Sequence, residues 1–420
     1  MNPWPVVAAD LRRSRAGVIA IALLVALAVA LGVAVSAQER ALREGSARAA
    51  AAFDLLIGAP GSETQLVLST VYLQPSALDL IDGRLLVKLQ VHDDVAFAAP
   101  IGFGDSYAGY PIVGATAAFL RHAAGGELAE GRRFERIDEA VVGADVDLAV
   151  GATFTPLHGQ VEAEDAGGHE GFAYRVVGRM PPQGNPWDRA IVASIESVWW
   201  VHALPVGHAV DEARLWPQGH AAAPDLAAIP LGPPWDADEL PGVPAIVVKP
   251  ASFGAAYQLR QQYRSADATM GVFPAEVLVQ LYALLGNVRD LLAVVTLLTQ
   301  VLVIGAVLLA VLATITLRRR LIGILRALGA SRAYIFATVW LNVTLILCGG
   351  ALLGLALGFA GAWLLSQVFS AQTAIALPVR LALQEVNLVL AIVLIGIALA
   401  TIPALLSYRV PVASALRDSA

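Results

Sequence analysis

The side chains best suited to binding or catalysis are seven histidines, all of which lie between residues 92 and 220. His158 and His169 flank a polar stretch with three acidic residues, and Glu170 follows directly. Imidazole and carboxylate groups are ligands for Zn²⁺ and related divalent metals. The spacing matches no closed zinc motif. Two interpretations therefore stay open: solvated loop residues, or weak metal ligands among His158, His169 and Glu170.

Motifs for the common catalytic chemistries do not occur in the chain. The sequence lacks the Gly-x-x-x-x-Gly-Lys-Ser/Thr loop that cradles nucleotide phosphates. It also lacks the Gly-x-Ser-x-Gly and His-Glu-x-x-His patterns of serine hydrolases and zinc proteases. We therefore predict that the chain is not an enzyme and that it binds no cofactor of its own.

The charge and the single cysteine exclude two further classes. The net charge is −6, and almost all of the acidic residues lie between Glu39 and Asp290. A large acidic domain is a poor partner for nucleic acid. Cys348 is alone, so a fold stapled by intrachain disulfides is excluded.

Hydrophobic residues make up 57% of the chain and charged residues only 15%, whereas soluble domains hold roughly 45–50% and about 25%. The excess is concentrated in stretches long enough to cross a hydrocarbon core, which takes roughly 20 helical residues. These uncharged stretches are 16–38, 291–317, 333–379 and 386–408. They predict an integral membrane protein with four transmembrane helices and a mixed α+β extracytoplasmic domain.

Basic residues near the predicted spans set the orientation, because cytoplasmic loops are enriched in Lys and Arg. They cluster before the first span, between the second and third, and after the fourth. The members are Arg12, Arg13, Arg15, Arg318, Arg319, Arg320, Arg326, Arg332, Arg409 and Arg417. Both termini and the 318–332 segment are therefore expected in the cytoplasm, and the large domain on the other side.

The resulting layout has nine parts. The first five are a cytoplasmic interfacial segment 1–15, span 16–38, the extracytoplasmic domain 39–285, span 286–317 and the cytoplasmic segment 318–332. The last four are span 333–367, an outer loop 368–385, span 386–408 and a cytoplasmic tail 409–420. Within the large domain we expect a helix from Glu39 to Ile57. The runs Gln65–Leu73, Leu85–Val91, Ala140–Val142 and Phe172–Val177 have the texture of short strands. The proline-dense stretch 216–244 predicts an extended surface loop.

Two patterns in the C-terminal part point to helix contacts. Leu321, Ile324, Leu325 and Leu328 share one face of a helix that Gly329 would end. This segment is either a simple positively charged loop or a docking helix. Gly350, Gly354 and Gly358 recur every four residues, which lets helices approach closely in lipid. That face serves either packing within the chain or a homodimer seam.

The segment Leu317-Arg-Arg-Arg-Leu-Ile-Gly-Ile-Leu-Arg-Ala-Leu-Gly-Ala-Ser-Arg332 resembles the cytoplasmic loop of FtsX/MacB-family ABC transporter permeases. It differs at Leu321, where the family usually has Glu. The glycine-rich span, the ending Pro411-Val-Ala-Ser-Ala-Leu-Arg417 and short pieces between Glu127 and Arg179 are similar to that family as well. In the family this loop is the coupling helix. The resemblance implies that the ATPase is contacted by Arg318, Arg319, Arg320, Leu321, Ile324, Leu325, Arg326 and Leu328.

The resemblance implies a permease subunit without a fused ATPase, in a bacterial inner membrane, with a MacB-like periplasmic core domain at 39–285. Its expected partners are a cytoplasmic ABC ATPase that supplies the ATP, a second copy of the chain, the bilayer, and a periplasmic adaptor or substrate-binding protein. The expected function is export or extraction of a substrate. Two alternatives stay open: an FtsX-like regulator that activates a periplasmic partner without transport, and metal-linked ABC transport.

Overall fold

The computed structural model describes residues 2–159, 172–218, 224–264, 268–283, 294–295, 297–299, 301–302, 305, 324–326, 328–373 and 375–408. The chain divides into two compact units. The first, here the helical unit, consists of Met1–Arg43, Leu284–Val368 and Leu377–Ala420. The second, here the sheet unit, consists of Glu44–Ala283 and Phe369–Ala376.

The helices of the described residues are α1 Trp4–Arg13, α2 Arg15–Ala49, α3 Glu63–Thr70, α4 Arg84–Gln90, α5 Ala117–Ala123, α6 Ile195–Val201, α7 Glu212–Leu215, α8 Phe253–Arg264, α9 Arg332–Thr373 and α10 Leu383–Tyr408. The strands are β1 Leu55–Gly58, β2 Val95–Tyr107, β3 Tyr110–Ala115, β4 Glu130–Gly131, β5 Glu139–Val142, β6 Thr153–Phe154, β7 Leu157–His158, β8 Tyr174–Arg179, β9 Ile191–Ser194, β10 Ala245–Pro250 and β11 Met270–Val272. Short 3₁₀ turns lie at Pro186–Arg189 and Leu226–Ala228.

Three helices among the described residues are long and apolar enough to cross a membrane. They are Arg15–Ala49, Arg332–Thr373 and Leu383–Ile402. A hydrocarbon core of about 30 Å needs roughly 20 helical residues, and each of the three meets that length. The predicted span 286–317 lies mostly outside the described residues, so the number of four spans stays a prediction.

The sheet unit is built on one mixed sheet, which has eleven strands in the described part of the chain. Its main path runs β11-β1-β10-β2-β3-β9-β5-β8-β4, while β6 pairs with β8 and β7 with β2. The pairs β3–β9 and β5–β8 are parallel and the others antiparallel. The mixed α+β class expected from the sequence is therefore confirmed.

The central strands are buried on both faces. Along β1, Leu55 and Ile57 pack into one core cluster while Leu56 packs into another. In β10, Ile246 and Val248 join the first cluster and Val247 the second. This alternation follows from the period of two of a strand. Such doubly covered strands have continuous apolar sequences, because neither face is left for water.

Two runs expected to be strands are helices. The run Gln65–Leu73 falls largely in α3, whose first turn is capped when the Gln65 N–H donates to Ser62 Oγ at 3.2 Å. The run Leu85–Val91 falls in α4, where Leu86 and Leu89 are buried together because residues three apart share one helix face. The helix expected over Glu39–Ile57 ends at Ala49, since the residues that follow form β1 between β10 and β11.

The expectation of a surface loop over 216–244 is wrong for part of that stretch. Ile229 and Trp235 are buried. The carboxylate of Glu196, at the start of α6, holds the segment in place. Its Oε1 accepts hydrogen bonds from the Gly232 N–H at 2.8 Å and from Trp235 Nε1 at 2.9 Å. The segment is therefore a packed part of the sheet unit.

Glu196 gives the sheet unit a predictable dependence on pH. Burial raises the pKa of Glu196, and its hydrogen bonds lower the pKa by less. The unfolded chain has a glutamate pKa of about 4.3. The folded form therefore holds the proton of Glu196 more tightly than the unfolded chain does. The resulting contribution to folding stability is fully present below the unfolded pKa and is lost as the pH rises through the folded pKa. We expect Glu196→Gln, which keeps the acceptor oxygen but cannot ionise, to stabilise the protein at pH 8 relative to wild type. The gain is about 1.4 kcal/mol for each pH unit by which folding raises the pKa.

The measurement is the thermal midpoint of full-length wild type and variant in detergent at pH 5 and pH 8, followed by tryptophan fluorescence. The advantage of the variant should be larger at pH 8. The same difference at both pH values would show that folding does not raise the pKa of Glu196 into or above this pH range.

Candidate functional site

Three glycines of α9 form a seam against α2 within the helical unit. A Cβ built on Gly350, Gly354 or Gly358 would lie 2.8, 2.6 or 2.7 Å from a carbonyl oxygen of α2. In that order the three oxygens belong to Ala22, Ala26 and Ala30. These distances are shorter than real Cβ contacts, so the two backbones approach to a separation that only glycine permits.

Three valines of α2 fill the other side of the seam. Val25, Val29 and Val33 are 4%, 1% and 0% exposed, and each lies against the position of one missing Cβ. The two helices are therefore in register over several turns. The glycine face that the sequence left open between intramolecular packing and a homodimer seam is covered here by a helix of the same chain.

A buried ion pair joins α2 to the start of α10. The side chain of Glu385 is 1% exposed and lies 2.6 Å from Nη1 of Arg40. The same carboxylate accepts hydrogen bonds from Ser36 Oγ and from the Ala382 N–H, both at 2.9 Å. Arg40 also donates to the carbonyl of Arg380. The carboxylate thus has one cation and two neutral donors, which is the arrangement a buried charge requires.

The Arg40–Glu385 pair was not predicted from the sequence. One signal could have indicated it: between Asp290 and Asp418, Glu385 is the only acidic residue in the sequence. An ionisable residue at the edge of a membrane span is costly unless it has a partner. The sequence offers several arginines near the outer ends of the spans, however, and it does not tell which of them pairs.

A second polar contact ties α1 to α9. Asn342 Nδ2 donates to Asp10 Oδ2 at 2.6 Å, and Ser14 Oγ donates to the Asp10 carbonyl. Val7 of the same short helix is fully buried. The segment predicted to lie at the cytoplasmic interface is therefore a helix that packs on the rest of the helical unit.

The predicted coupling segment is described in part. Arg318, Arg319, Arg320 and Leu321 lie outside the described residues. The helical turn at 324–326 ends as the sequence predicts: Gly329 has a φ of +95°, the Ala330 N–H donates to the Leu325 carbonyl, and the Gly329 N–H donates to that of Arg326. This is the glycine-ended Schellman arrangement. Ser331 Oγ then accepts from the Tyr334 N–H and caps α9.

The two leucines at the end of this segment differ in exposure. Leu325 packs against the apolar cluster of the helical unit. Leu328 is 81% exposed and Ile324 is 40% exposed. Exposed apolar side chains grouped beside a defined turn are a feature of docking surfaces. Arg326 completes the described part of the predicted coupling residues.

Of the three predicted metal ligands, only His158 lies within the described residues. His158 lies in β7, where it pairs with Asp105 of β2. His169 and Glu170 lie outside the described residues. Sequence reasoning missed the two polar residues that the fold places beside His158, namely Asp105 and His202.

Comparisons with known proteins give one family match and a similar solved structure. Residues 293–412 match the family described as FtsX-like permease C-terminal. Among solved structures, the chain is similar to the periplasmic region of MacB from Actinobacillus actinomycetemcomitans. That similarity has a TM-score of 0.33 and 10% identity and covers 56% of this chain and 95% of that chain. No curated protein matches the chain.

Proposed function

We propose that this chain, whose residues 293–412 match the FtsX-like permease family, is the transmembrane subunit of an ABC transporter that transmits ATP-driven movement to a periplasmic domain. The observation that carries the proposal is the family match over residues 293–412. That range contains the predicted coupling segment with its exposed Leu328. Closure of a separate ATPase dimer pushes on segment 318–332 and tilts the spans. The tilt changes the conformation of the sheet unit, and this change drives the export or extraction of a substrate.

The lengths of two helices support transmission. At about 1.5 Å per residue, the 35 residues of α2 extend for about 52 Å and the 42 residues of α9 for about 63 Å. Both exceed the hydrocarbon thickness of about 30 Å. Each helix also contributes residues to both units. A rigid secondary-structure element is a physical carrier of coupling between distant sites.

The distribution of charge supports a substrate route that does not run between the helices. No acidic or basic residue occurs in 16–38, 291–317, 333–379 or 386–408. Ionisable residues inside the membrane commonly mark ion and substrate pathways. We therefore infer that the substrate is handled on the periplasmic side, as an extruder or extractor would do.

The partners follow from what the chain lacks and from its family. Without a phosphate-binding loop, the chain depends on a cytoplasmic ABC ATPase for ATP. Because ABC transporters work with paired ATPase sites, we propose a homodimer in the bacterial inner membrane. Both termini face the cytoplasm, and the sheet unit lies in the periplasm beside an adaptor or substrate-binding protein.

Purification of the tagged full-length protein from native membranes in mild detergent tests this proposal, with mass spectrometry of the proteins that come with it. We expect an ABC ATPase in stoichiometric amount, together with a periplasmic adaptor or an outer-membrane channel. Recovery of the ATPase with a cell-wall hydrolase would indicate that the complex regulates the hydrolase and does not transport a substrate. Recovery of no ATPase, under conditions where other ABC complexes survive, would refute the proposal.

Leu328→Asp is expected to lower the recovery of the ATPase by about tenfold, the effect of about 1.4 kcal/mol. Its side chain is 81% exposed, so the substitution removes an apolar docking contact without opening the core. Leu325→Asp is a poorer test, because Leu325 packs against the apolar cluster of its own unit.

The matched control is Leu381→Asp, since Leu381 is 49% exposed and belongs to the predicted outer loop. The readouts are ATPase recovery and substrate-stimulated ATP hydrolysis. Equal recovery in wild type and Leu328→Asp would remove this turn from the ATPase interface.

A further inference from the structure

Three potential metal ligands from separate elements of the sheet unit meet at one point. They are Asp105 of β2, His158 of β7 and His202, which follows α6. Asp105 Oδ1 lies 3.4 Å from His158 Nδ1 and 3.6 Å from His202 Nε2. One ligand atom from each residue lies within 4.8 Å of the other two. The two imidazole rings are 5.2 Å apart between centroids.

The backbone fixes His158 opposite Asp105. The antiparallel register pairs Asp105 with His158 and Ser106 with Leu157. Beyond the strand, the Gly159 N–H donates to the Gly104 carbonyl at 2.9 Å, and Ser106 Oγ donates to the Gly159 carbonyl at 2.6 Å. His158 is therefore held beside the carboxylate although its own side chain is 59% exposed.

His202 is oriented by a hydrogen bond on the far side of its ring. Its Nδ1 lies 2.7 Å from the Val198 carbonyl, which only accepts hydrogen bonds, so Nδ1 carries the proton. In the neutral ring Nε2 then carries the in-plane lone pair, and Nε2 is the atom nearest Asp105. Metal-binding histidines are oriented in this way, with the other ring nitrogen bonded to a carbonyl or carboxylate.

A glycine keeps the space beside Nε2 open. Gly104 has a φ of +152°, and a Cβ at that position would lie 3.2 Å from His202 Nε2. Such a contact is tighter than most real Cβ contacts, so a larger residue would crowd the nitrogen. Glycine at position 104 therefore leaves room beside Nε2 of His202 for an ion bound to that nitrogen.

The burial and spacing of the three groups suit a cation between them. The side chain of Asp105 is 1% exposed, and buried charges are paired or coordinate metals. Tetrahedral Zn²⁺, with bonds of roughly 2.0–2.2 Å, places neighbouring ligand atoms about 3.3–3.6 Å apart. The separations from Asp105 Oδ1, 3.4 and 3.6 Å, already match that spacing. The third separation, between the ligand nitrogens of His158 and His202, is within 4.8 Å.

We propose that Asp105, His158 and His202 bind a divalent transition metal of the Zn²⁺ class. A carboxylate oxygen and two imidazole nitrogens supply three ligands of the four in a tetrahedral zinc site. The ion would fasten β7 and the end of α6 to β2. This site does not depend on the proposed permease function, and it differs from the residues His169 and Glu170 suggested by the sequence.

The test uses the full-length protein in detergent after treatment with a chelator. Zn²⁺ binding is measured by titration calorimetry, and Co²⁺ serves as a spectroscopic probe of the tetrahedral site. The variants are His158→Gln, His202→Gln and Asp105→Asn. His92→Gln is the matched control, because the Nδ1 of His92 also lies near a carboxylate, that of Asp94 at 4.0 Å, elsewhere in the same unit.

We expect one Zn²⁺ per chain in wild type and in His92→Gln, with binding at least tenfold weaker in His158→Gln and His202→Gln. The Co²⁺ spectrum should lose its tetrahedral bands in the same variants. His158 is exposed, so its variant is expected to fold even where Asp105→Asn does not. Absence of stoichiometric binding in wild type would overturn the proposal and leave protons as the cations of this cluster. Undiminished binding in His158→Gln would overturn it as well.

Discussion

Gly354→Val is expected to destabilise the packing of α2 against α9 in the helical unit. The first atom of the new side chain would lie 2.6 Å from the Ala26 carbonyl oxygen and 2.7 Å from Cβ of Val29. One of these atoms belongs to the backbone and the other is fixed to it, so rotation of a side chain cannot relieve the clash. The helices α2 and α9 must separate, at a cost of about 1–3 kcal/mol or more.

Gly349→Val is the matched control for this variant. Gly349 precedes the seam in the same helix and has no atom within 4 Å of a built Cβ. Both variants change the helix propensity by the same amount, so their difference isolates the contact with α2. The measurements are the thermal midpoint and the monodisperse fraction in detergent. Equal behaviour of the two variants would contradict close packing at Gly354.

The glycine seam shows what a local pattern reveals and what it leaves open. The recurrence of glycine every four residues predicts a smooth helix face, because it depends only on helix geometry. The identity of the partner is not contained in that pattern, since a helix of the same chain and a helix of a second copy would pack on it equally well. Only the structure identifies α2 as the helix that packs on the glycine face.

The positions of helix ends were predictable because they too depend on local sequence. The end of the helical turn at Gly329 and the cap at Ser331 depend on residues that are neighbours in sequence. In the sheet unit, the run Ala140–Val142 was assigned correctly as a strand. The run Leu85–Val91 was not, because a short apolar run fits a strand and a buried helix equally well. Its outcome depends on contacts with distant residues.

The candidate metal cluster lies beyond sequence reasoning because its members are far apart in the chain. The acidic sequence neighbours of His158 lie outside the described residues, whereas Asp105 and His202 meet His158 within them. Asp105 reaches His158 through the pairing of β2 with β7. His202 reaches the same point from the end of α6. Strand register of this kind is a property of the whole sheet.

Arg40→Met is expected to destabilise the helical unit by about 3–5 kcal/mol, the usual result of removing one partner of a buried ion pair. The carboxylate of Glu385 is 1% exposed and would keep only the neutral donors of Ser36 and Ala382. Methionine retains most of the aliphatic volume of the arginine, so the loss reports the charge and the hydrogen bonds. The thermal midpoint of the full-length protein in detergent measures it.

A second substitution separates the cost of an unpaired charge from the value of the pair. In Arg40→Met with Glu385→Gln, no charge is left in the apolar surroundings, and the amide oxygen of the substituted side chain can still accept from the Ala382 N–H. We therefore expect the double variant to be more stable than Arg40→Met alone, which a double-mutant cycle records as a coupling energy of about 1–3 kcal/mol. Losses that simply add would mean that the two side chains do not interact. Buried ion pairs can often be replaced by neutral groups without loss of stability. A double variant as stable as wild type would therefore show that the ion pair adds no net stability and acts by specifying how α2 and α10 pack.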